Sequence, residues 1–221
     1  MPRETDEECE RCGVADGRSF ATLSKTRDVR TFIAIEIPEG VKKEMAEVQR
    51  RLKDTGVDAG WTRPEGIHLT LKFLGEVPEV KVRDIINGLQ RAGEGVGPFR
   101  LEVGGVGTFP SPKNARVVWV GISGDVAKLS RLQSSVEETI SELGFEPDKR
   151  AFTPHLTLGR IKYIRSRDKW LKALDELKDI RLSGFDVAAV SLMKSELKPS
   201  GAVYTEVGHI DLQGRPEESP E

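Results

Sequence analysis

The tetrapeptide His68-Leu69-Thr70-Leu71 returns unchanged at His155-Leu156-Thr157-Leu158, 87 positions later (155 minus 68). The chain has three histidines, and two of them lie in these two copies. On a β-strand, residues i and i+2 point to the same face, so each copy places a His and a Thr on one face and two leucines on the other. The repeat therefore predicts two equivalent strands, each with one polar side and one side facing a core.

The segments that flank the two tetrapeptides repeat in the same order. Residues 30–37 and 115–122 are apolar and β-branched, and a helical pattern, the tetrapeptide strand, a second helical pattern and a further strand follow each of them. A last strand at 203–210 has no counterpart in the first half. This duplicated unit predicts an α+β fold of two pseudo-symmetric lobes, each an antiparallel sheet with outer helices, facing a central cleft.

Composition limits the function classes that are open to the chain. Its 34 basic and 36 acidic residues leave a net charge of −2, which argues against a protein that coats long nucleic acid but allows a short anionic substrate. The longest apolar runs are too short to span a bilayer, and the acidic N-terminus lacks the apolar region of a secretory signal. We expect a cytoplasmic monomer with no membrane contact.

Both termini differ from the rest of the chain. Residues 1–28 lack a periodic pattern and predict a disordered or flexible extension, residues 29–212 predict one bilobal domain, and residues 213–221 predict a flexible tail. Cys9 and Cys12 form a C-x-x-C pair, which is half of a zinc site or a redox motif. A second ligand pair is missing from the sequence, and the pair follows a run of acids rather than a strand. We therefore expect neither a metal nor a cofactor.

Two imidazoles in one cleft are suited to acid–base catalysis. Imidazole titrates near neutral pH, so a pair can hold one neutral and one protonated ring, which is what a general base and a general acid require. A single histidine on a strand is more often structural, but two copies at matching points of a repeat favour a functional role. Metal binding is the other use of a histidine pair, and no third ligand follows at a suitable spacing.

Three stretches resemble one known family. They are RTFIAIEIP at 30–38, WTRPEGIHLTLKFLG at 61–75 and RAFTPHLTLGR at 150–160. Together they resemble the 2H phosphoesterase superfamily and, within it, the archaeal and bacterial RNA 2′,3′-cyclic phosphodiesterases, also called 2′-5′ RNA ligases. The resemblance extends over about residues 29–212. It implies metal-independent hydrolysis of RNA 2′,3′-cyclic phosphate ends to 2′-phosphate ends, with His68 as proton donor and His155 as proton acceptor.

The resemblance also implies residues that bind the substrate. Thr70 and Thr157 would hold the phosphate oxygens, and Arg160 matches the arginine that follows the second motif in the family and would contact phosphate or ribose. Strict alternation turns Arg160 away from the cleft, so a β-bulge or the strand end near Gly159 is needed to bring it back. The alternative for Arg160 is a solvated arginine at the end of a strand.

Arg150 and Phe152 precede the second histidine and are further candidates for substrate binding. Phe152 is expected either to stack on an RNA base or to pack as a core residue under the helix predicted at 125–143. By the same strict alternation, Lys72 shares the face of His68 and adds positive charge at the rim of the cleft, whereas Phe73 belongs to the core.

For three other residues the sequence predicts a position in the fold but no catalytic role. Trp61 and Trp119 are expected in or near the core. His209 lies in the extra strand without a threonine partner and is expected to be structural or exposed.

Two other functions remain open from the sequence. One is ATP-independent ligation of tRNA halves through a 2′-5′ linkage by the same chemistry, since no nucleotide-binding loop of the G-x-x-x-x-G-K type is present. The other is an RNA-end binding protein that does not catalyse. The paired histidines speak against the second, because binding alone does not need two titrating groups.

Overall fold

The computed structural model describes residues 28–199 and 201–214. The predicted N-terminal extension and its cysteine pair therefore lie outside the described residues, except for Asp28, which is the first residue of a strand. Of the predicted C-terminal tail, Gln213 and Gly214 are described.

The described residues form nine strands and four α-helices. The strands are β1 (Asp28–Glu36), β2 (Asp58–Trp61), β3 (His68–Pro78), β4 (Phe99–Phe109), β5 (Val117–Gly124), β6 (His155–Tyr163), β7 (Arg181–Val187), β8 (Ala189–Lys198) and β9 (Gly201–Asp211). The helices are α1 (Glu39–Lys53), α2 (Val82–Gly93), α3 (Val126–Glu142) and α4 (Arg167–Leu177).

The strands build two antiparallel sheets. Sheet one has the order β3-β1-β8-β9, and sheet two has the order β2-β6-β5-β4-β7. Each tetrapeptide strand pairs with the first strand of its own half, and that strand pairs with a strand from the other half. The lobes are therefore not contiguous halves of the sequence, because β4 and β8 have exchanged sheets.

The helices exchange in the same way. From the contacts between elements, α2 and α3 pack together over sheet one, where α2 meets β9 and α3 meets β3. On sheet two, α1 meets β7 and α4 meets β4. The apolar stripe that the spacing predicts on the first helix is buried, with Val41, Met45, Val48 and Leu52 all inside. The predicted fold class, two pseudo-symmetric sheets with helices, is confirmed.

A bulge interrupts each tetrapeptide strand at the same place. The pairing of β3 with β1 steps from Thr70 to Lys72, which leaves Leu71 without a partner. The pairing of β6 with β5 steps from Thr157 to Gly159, which leaves Leu158 without one. An extra residue reverses the alternation of side chains beyond it. Strict alternation along 67–74 is therefore wrong.

Candidate active site

The two tetrapeptide strands meet where the sheets adjoin. β3 and β6 belong to different sheets, yet their Cα atoms approach within 8 Å. His68 is the first residue of β3 and His155 is the first residue of β6. The leucines of both tetrapeptides are buried in the main core, so the histidines and threonines lie on the opposite faces.

Both imidazoles are held by the same backbone contact. Nδ1 of His68 lies 2.8 Å from the carbonyl oxygen of Gly66, and Nδ1 of His155 lies 2.7 Å from the carbonyl oxygen of Thr153. A carbonyl oxygen only accepts, so Nδ1 carries the proton in each ring. In both copies the other nitrogen, Nε2, makes no hydrogen bond to the described residues.

His68 lies under two aromatic rings. Its ring centroid is 4.4 Å from that of Phe32 and 5.0 Å from that of Tyr204, which belongs to the strand at the opposite edge of sheet one. The sheet is therefore curled, and the hydrogen at Gly66 leaves room for Tyr204, because a Cβ there would lie 3.0 Å from its ring. Burial is the main cause that lowers the pKa of His68 to about 4; the Gly66 carbonyl opposes this, and the charge of Lys42 adds to it.

His155 also contacts two aromatic rings. Its ring centroid is 5.1 Å from that of Phe109 and 6.2 Å from that of Trp119. A Cβ at Gly107 would overlap the indole of Trp119, so that glycine makes room for the ring. Trp119 is half-buried on the face of His155 and is not part of the main core, so of the predicted positions in or near the core the second applies. Trp61 does pack against the main core, as expected.

The bulges decide which residues beyond the threonines share the faces of the histidines. Thr70 and Thr157 are half-buried beside them. Beyond Leu158, the reversed alternation places Arg160 on the face of His155, where it is exposed. The bulge that Arg160 needs to reach the cleft is thus present.

The same reversal overturns both predictions for the first copy. Lys72 is only 4% exposed and points into the protein, where Nζ pairs with Glu137 of α3 and donates to the backbone carbonyl of Glu146 at 2.9 Å. Phe73 is 64% exposed and lies 6.1 Å from Phe32, the ring that contacts His68. The charge expected at the rim is therefore inside, and the phenylalanine expected inside is on the cleft face.

The two candidates that precede the second histidine lie differently. Arg150 is exposed, and its guanidinium bonds to Asp148 through Nε at 3.2 Å. Phe152 is half-buried and packs against the main core, which is the structural alternative that the sequence left open.

His209 is exposed, as expected, and its Nδ1 lies 2.8 Å from Glu206. That carboxylate is the main cause that raises the pKa of His209, and it also accepts a hydrogen bond from Ser191 at 2.9 Å. Within residues 28–199 and 201–214, no group of three or more His, Cys, Asp or Glu side chains could hold a metal ion. In the same part of the chain, no helix is long and apolar enough to cross a membrane.

Comparison with known families identifies the duplicated unit. The LigT-like phosphoesterase family matches the chain twice in tandem, at residues 35–119 and 120–204. The chain belongs to the LigT-like phosphoesterase family. The boundary between the matches falls inside β5. The first match contains β3 and the second contains β6, so each includes one tetrapeptide strand.

Two similar proteins are named RNA 2′,3′-cyclic phosphodiesterase. The RNA 2′,3′-cyclic phosphodiesterase of Methanothermobacter thermautotrophicus is 38% identical over 179 residues, covering 81% of this chain and 96% of the relative. The protein of that name from Methanocaldococcus jannaschii is 35% identical over 176 residues, covering 80% and 96%. The predicted family and the predicted phosphoesterase class are confirmed by these matches.

Solved structures have the same fold. The crystal structure of TT0787 from Thermus thermophilus superposes with a TM-score of 0.71 at 29% identity, covering 85% of this chain and 100% of that one. The crystal structure of E. coli LigT complexed with 3′-AMP superposes with a TM-score of 0.67 at 21% identity, covering 84% and 98%, and shows likeness of fold.

Proposed function

We propose that the protein hydrolyses RNA 2′,3′-cyclic phosphate ends to 2′-phosphate ends with His68 and His155 as an acid–base pair and without a metal ion. The observation that carries the proposal is the pair of bulged H-x-T-x strands that approach each other across two sheets. Relatives named RNA 2′,3′-cyclic phosphodiesterase at 38% and 35% identity support the substrate.

The reaction needs one base and one acid on opposite sides of the phosphorus. His155 takes a proton from water through Nε2, and the water oxygen forms a bond to phosphorus. The bond from phosphorus to the 3′-oxygen breaks, and His68 gives its Nε2 proton to that oxygen. The products are a 2′-phosphate and a 3′-hydroxyl.

The phosphate is held by short, stiff side chains. Thr70 and Thr157 donate their hydroxyls to the non-bridging oxygens, and β-branching limits the rotamers that each hydroxyl can adopt. Arg160 is the cation that the bulge brings to the same face as His155, and its fork of donors suits a phosphate.

Phe73 is the better aromatic surface for the base of the terminal nucleotide. Its ring is 64% exposed and continues the series of rings from His68 through Phe32. Phe152 packs against the core, and Arg150 is paired with Asp148, so neither contributes as strongly to the proposed site.

The low pKa of His68 bears on its role as the acid. At a pKa of about 4 the ring is neutral at pH 7 in the free protein, whereas a proton donor must be charged. A bound phosphate anion favours the charged ring, so substrate binding raises the pKa of His68 and loads the proton that the leaving oxygen needs.

The test is incubation with a short RNA that ends in a 2′,3′-cyclic phosphate, in the presence of EDTA. We expect a 2′-phosphate product, identified by its mass and by chromatographic separation from a synthetic RNA that ends in a 3′-phosphate. Activity that is lost in EDTA and restored by zinc would contradict the metal-independent mechanism. A 3′-phosphate product would contradict the assignment of the leaving oxygen.

The same assay separates the alternatives. Addition of a second RNA with a 5′-hydroxyl end would give a 2′-5′-linked product if the protein ligates tRNA halves. Tight binding of the cyclic end without turnover would indicate an RNA-end binding protein.

A further inference from the structure

The outer part of β6 and the turn that follows it carry a row of cations beyond the proposed site. Five of the ten residues at 160–169 are Arg or Lys and only Asp168 is acidic, whereas the whole chain has a net charge of −2. Arg160, Lys162 and Arg165 are all exposed, and none of them has an acidic partner in the described part of the chain. A local excess of unpaired positive charge indicates an anionic partner.

The geometry of β6 places two of these cations, Arg160 and Lys162, on the face of the proposed site, and Arg165 follows in the turn after the strand. Ile161 packs against the core, so its neighbours Arg160 and Lys162 point to the other face, which is the face of His155. The distance from His155 to the end of the strand is about 25 Å at the usual rise per residue. A mononucleotide in the cleft leaves the outer part of this face uncovered.

A second bulge adds an aromatic ring to the row. The pairing of β6 with β2 steps from Ile161 to Tyr163 and leaves Lys162 without a partner. Alternation would direct Tyr163 towards the core, but the bulge reverses it, and the side chain is 64% exposed. Asp58 stands opposite Tyr163 on β2 and forms no ion pair with Lys162 or Arg165.

We infer that Arg160, Lys162, Tyr163 and Arg165 form a track for the single-stranded RNA that precedes the cyclic end. Cations that follow the backbone, interleaved with an aromatic ring for a base, are the usual means of binding a single strand without sequence preference. The inference rests on the proposed function and makes it more specific: the substrate is an oligonucleotide end rather than a cyclic mononucleotide.

The charges of the track are tested by comparing two substrates of one reaction. The double variant Lys162→Glu/Arg165→Glu should lower kcat/KM about tenfold for an RNA of about eight nucleotides with a cyclic end, mainly through KM, because two cations that neutralise phosphates are removed. The slope of log affinity against log salt should become shallower by about 0.7 for each phosphate that is no longer neutralised. Turnover of 2′,3′-cyclic AMP should match that of the wild type.

A matched control has the same change of charge away from the track. Lys43 on α1 and Arg83 on α2 are exposed and have no acidic partner among the described residues. The variant Lys43→Glu/Arg83→Glu should leave both substrates unaffected. An equal loss on the RNA in the two double variants would mean that net charge, and not the track, sets the affinity, and would overturn the inference.

The aromatic contribution has its own pair of variants. Tyr163→Ala should weaken binding of the RNA about fivefold or more, because a stacking surface is removed, while Tyr163→Phe retains it. Equal binding by both variants and the wild type would remove Tyr163 from the track.

The other possible outcomes also support or contradict the inferred RNA track. If Lys162→Glu/Arg165→Glu lowers kcat/KM equally for the RNA and for 2′,3′-cyclic AMP, or lowers it for neither, the inference of an RNA track is contradicted. If the wild type cleaves neither substrate, the proposed function fails, and anisotropy of a fluorescent RNA with a 2′-phosphate end then tests the track alone. Weaker binding by Lys162→Glu/Arg165→Glu than by the control would still support it, and equal binding would overturn it.

Discussion

The two H-x-T-x strands share the placement of the histidine and the bulge after the threonine, and they differ in the residues that follow the bulge. In β3 and β6 the histidine bonds through Nδ1 to the carbonyl two residues earlier, and a leucine bulge follows the threonine. The residue five positions after the histidine is Phe73 in one strand and Arg160 in the other. The two copies thus share the placement of the histidine and the bulge, while under the proposed function the different residues at the equivalent fifth position would meet a substrate in different ways.

The largest expected effect comes from the residues that the strands share. His68→Ala and His155→Ala should each lower kcat by about 10²–10⁴ on a cyclic-end RNA, the usual scale for removal of a general acid or base. His209→Ala serves as the control, because His209 is exposed and pairs with Glu206. Near-normal activity in either of the first two variants would break the equivalence of the strands.

The residue four positions after each histidine contributes differently to the free energy of unfolding in the two strands. Lys72→Met should lower the free energy of unfolding by about 3 kcal/mol, near the lower end for breaking a buried ion pair. The reason is that the carboxylate of Glu137, whose side chain is only 17% exposed, loses its charged partner. Gly159, at the equivalent position, lies under the ring of Trp61 and has no such pair.

Urea unfolding measures the effect of Lys72→Met. The control is Lys178→Met, whose partner Asp175 is exposed, and its loss of unfolding free energy should be clearly smaller than that of Lys72→Met. Equal losses in the two variants would show that the pair of Lys72 and Glu137 contributes no more than a surface ion pair.

Substitutions of Phe73 and Arg160 test whether these two residues, at equivalent positions of the two strands, bind different parts of the substrate. Arg160→Ala should lower kcat/KM by about tenfold or more for every cyclic-end substrate, because a hydrogen bond to a charged group is removed. Phe73→Ala should cost about fivefold or more only when the terminal nucleotide carries a base, because it removes stacking. An abasic end with the same cyclic phosphate is the control, and a loss on it from Phe73→Ala would contradict the stacking role.

The smallest expected effect is a change in titration. His68 should titrate near pH 4 in the free protein, and its pKa should rise when a nucleoside 2′-phosphate binds. Tyr204→Ala should also raise the pKa, because the ring that covers His68 is removed. Histidine resonances followed by NMR measure all three, and a midpoint near 6.5 in the free wild type would contradict the burial of His68.

The same depressed pKa has a consequence for stability. In the unfolded chain His68 binds its proton near pH 6.5, and the folded chain binds it only near pH 4. The unfolded state therefore holds more protons in that interval, and the free energy of unfolding should fall as the pH drops from 6.5 towards 4. This loss, measured by urea unfolding across the interval, should be smaller in His68→Gln.

Sequence reasoning predicted the repeat, the two-sheet fold and the matching positions of His68 and His155 on their strands, because each rests on local spacing. It failed at Lys72 and Phe73 because alternation was applied without a break, although Arg160 at the equivalent position already required a bulge. A comparison of the two copies residue by residue would have predicted the bulge in both. The rings of Tyr204 and Phe109 could not be predicted, because they reach the histidines across curled sheets from strands that are distant in sequence.

The central claim is that the two strands supply one acid–base pair, and a double-mutant cycle tests it most directly. Hydrolysis of a cyclic-end RNA in EDTA would be measured for His68→Ala, His155→Ala and the double variant. Residues that act as a unit should give a double variant little slower than the slower single variant. Losses that multiply would mean that the two histidines act independently and would contradict the account.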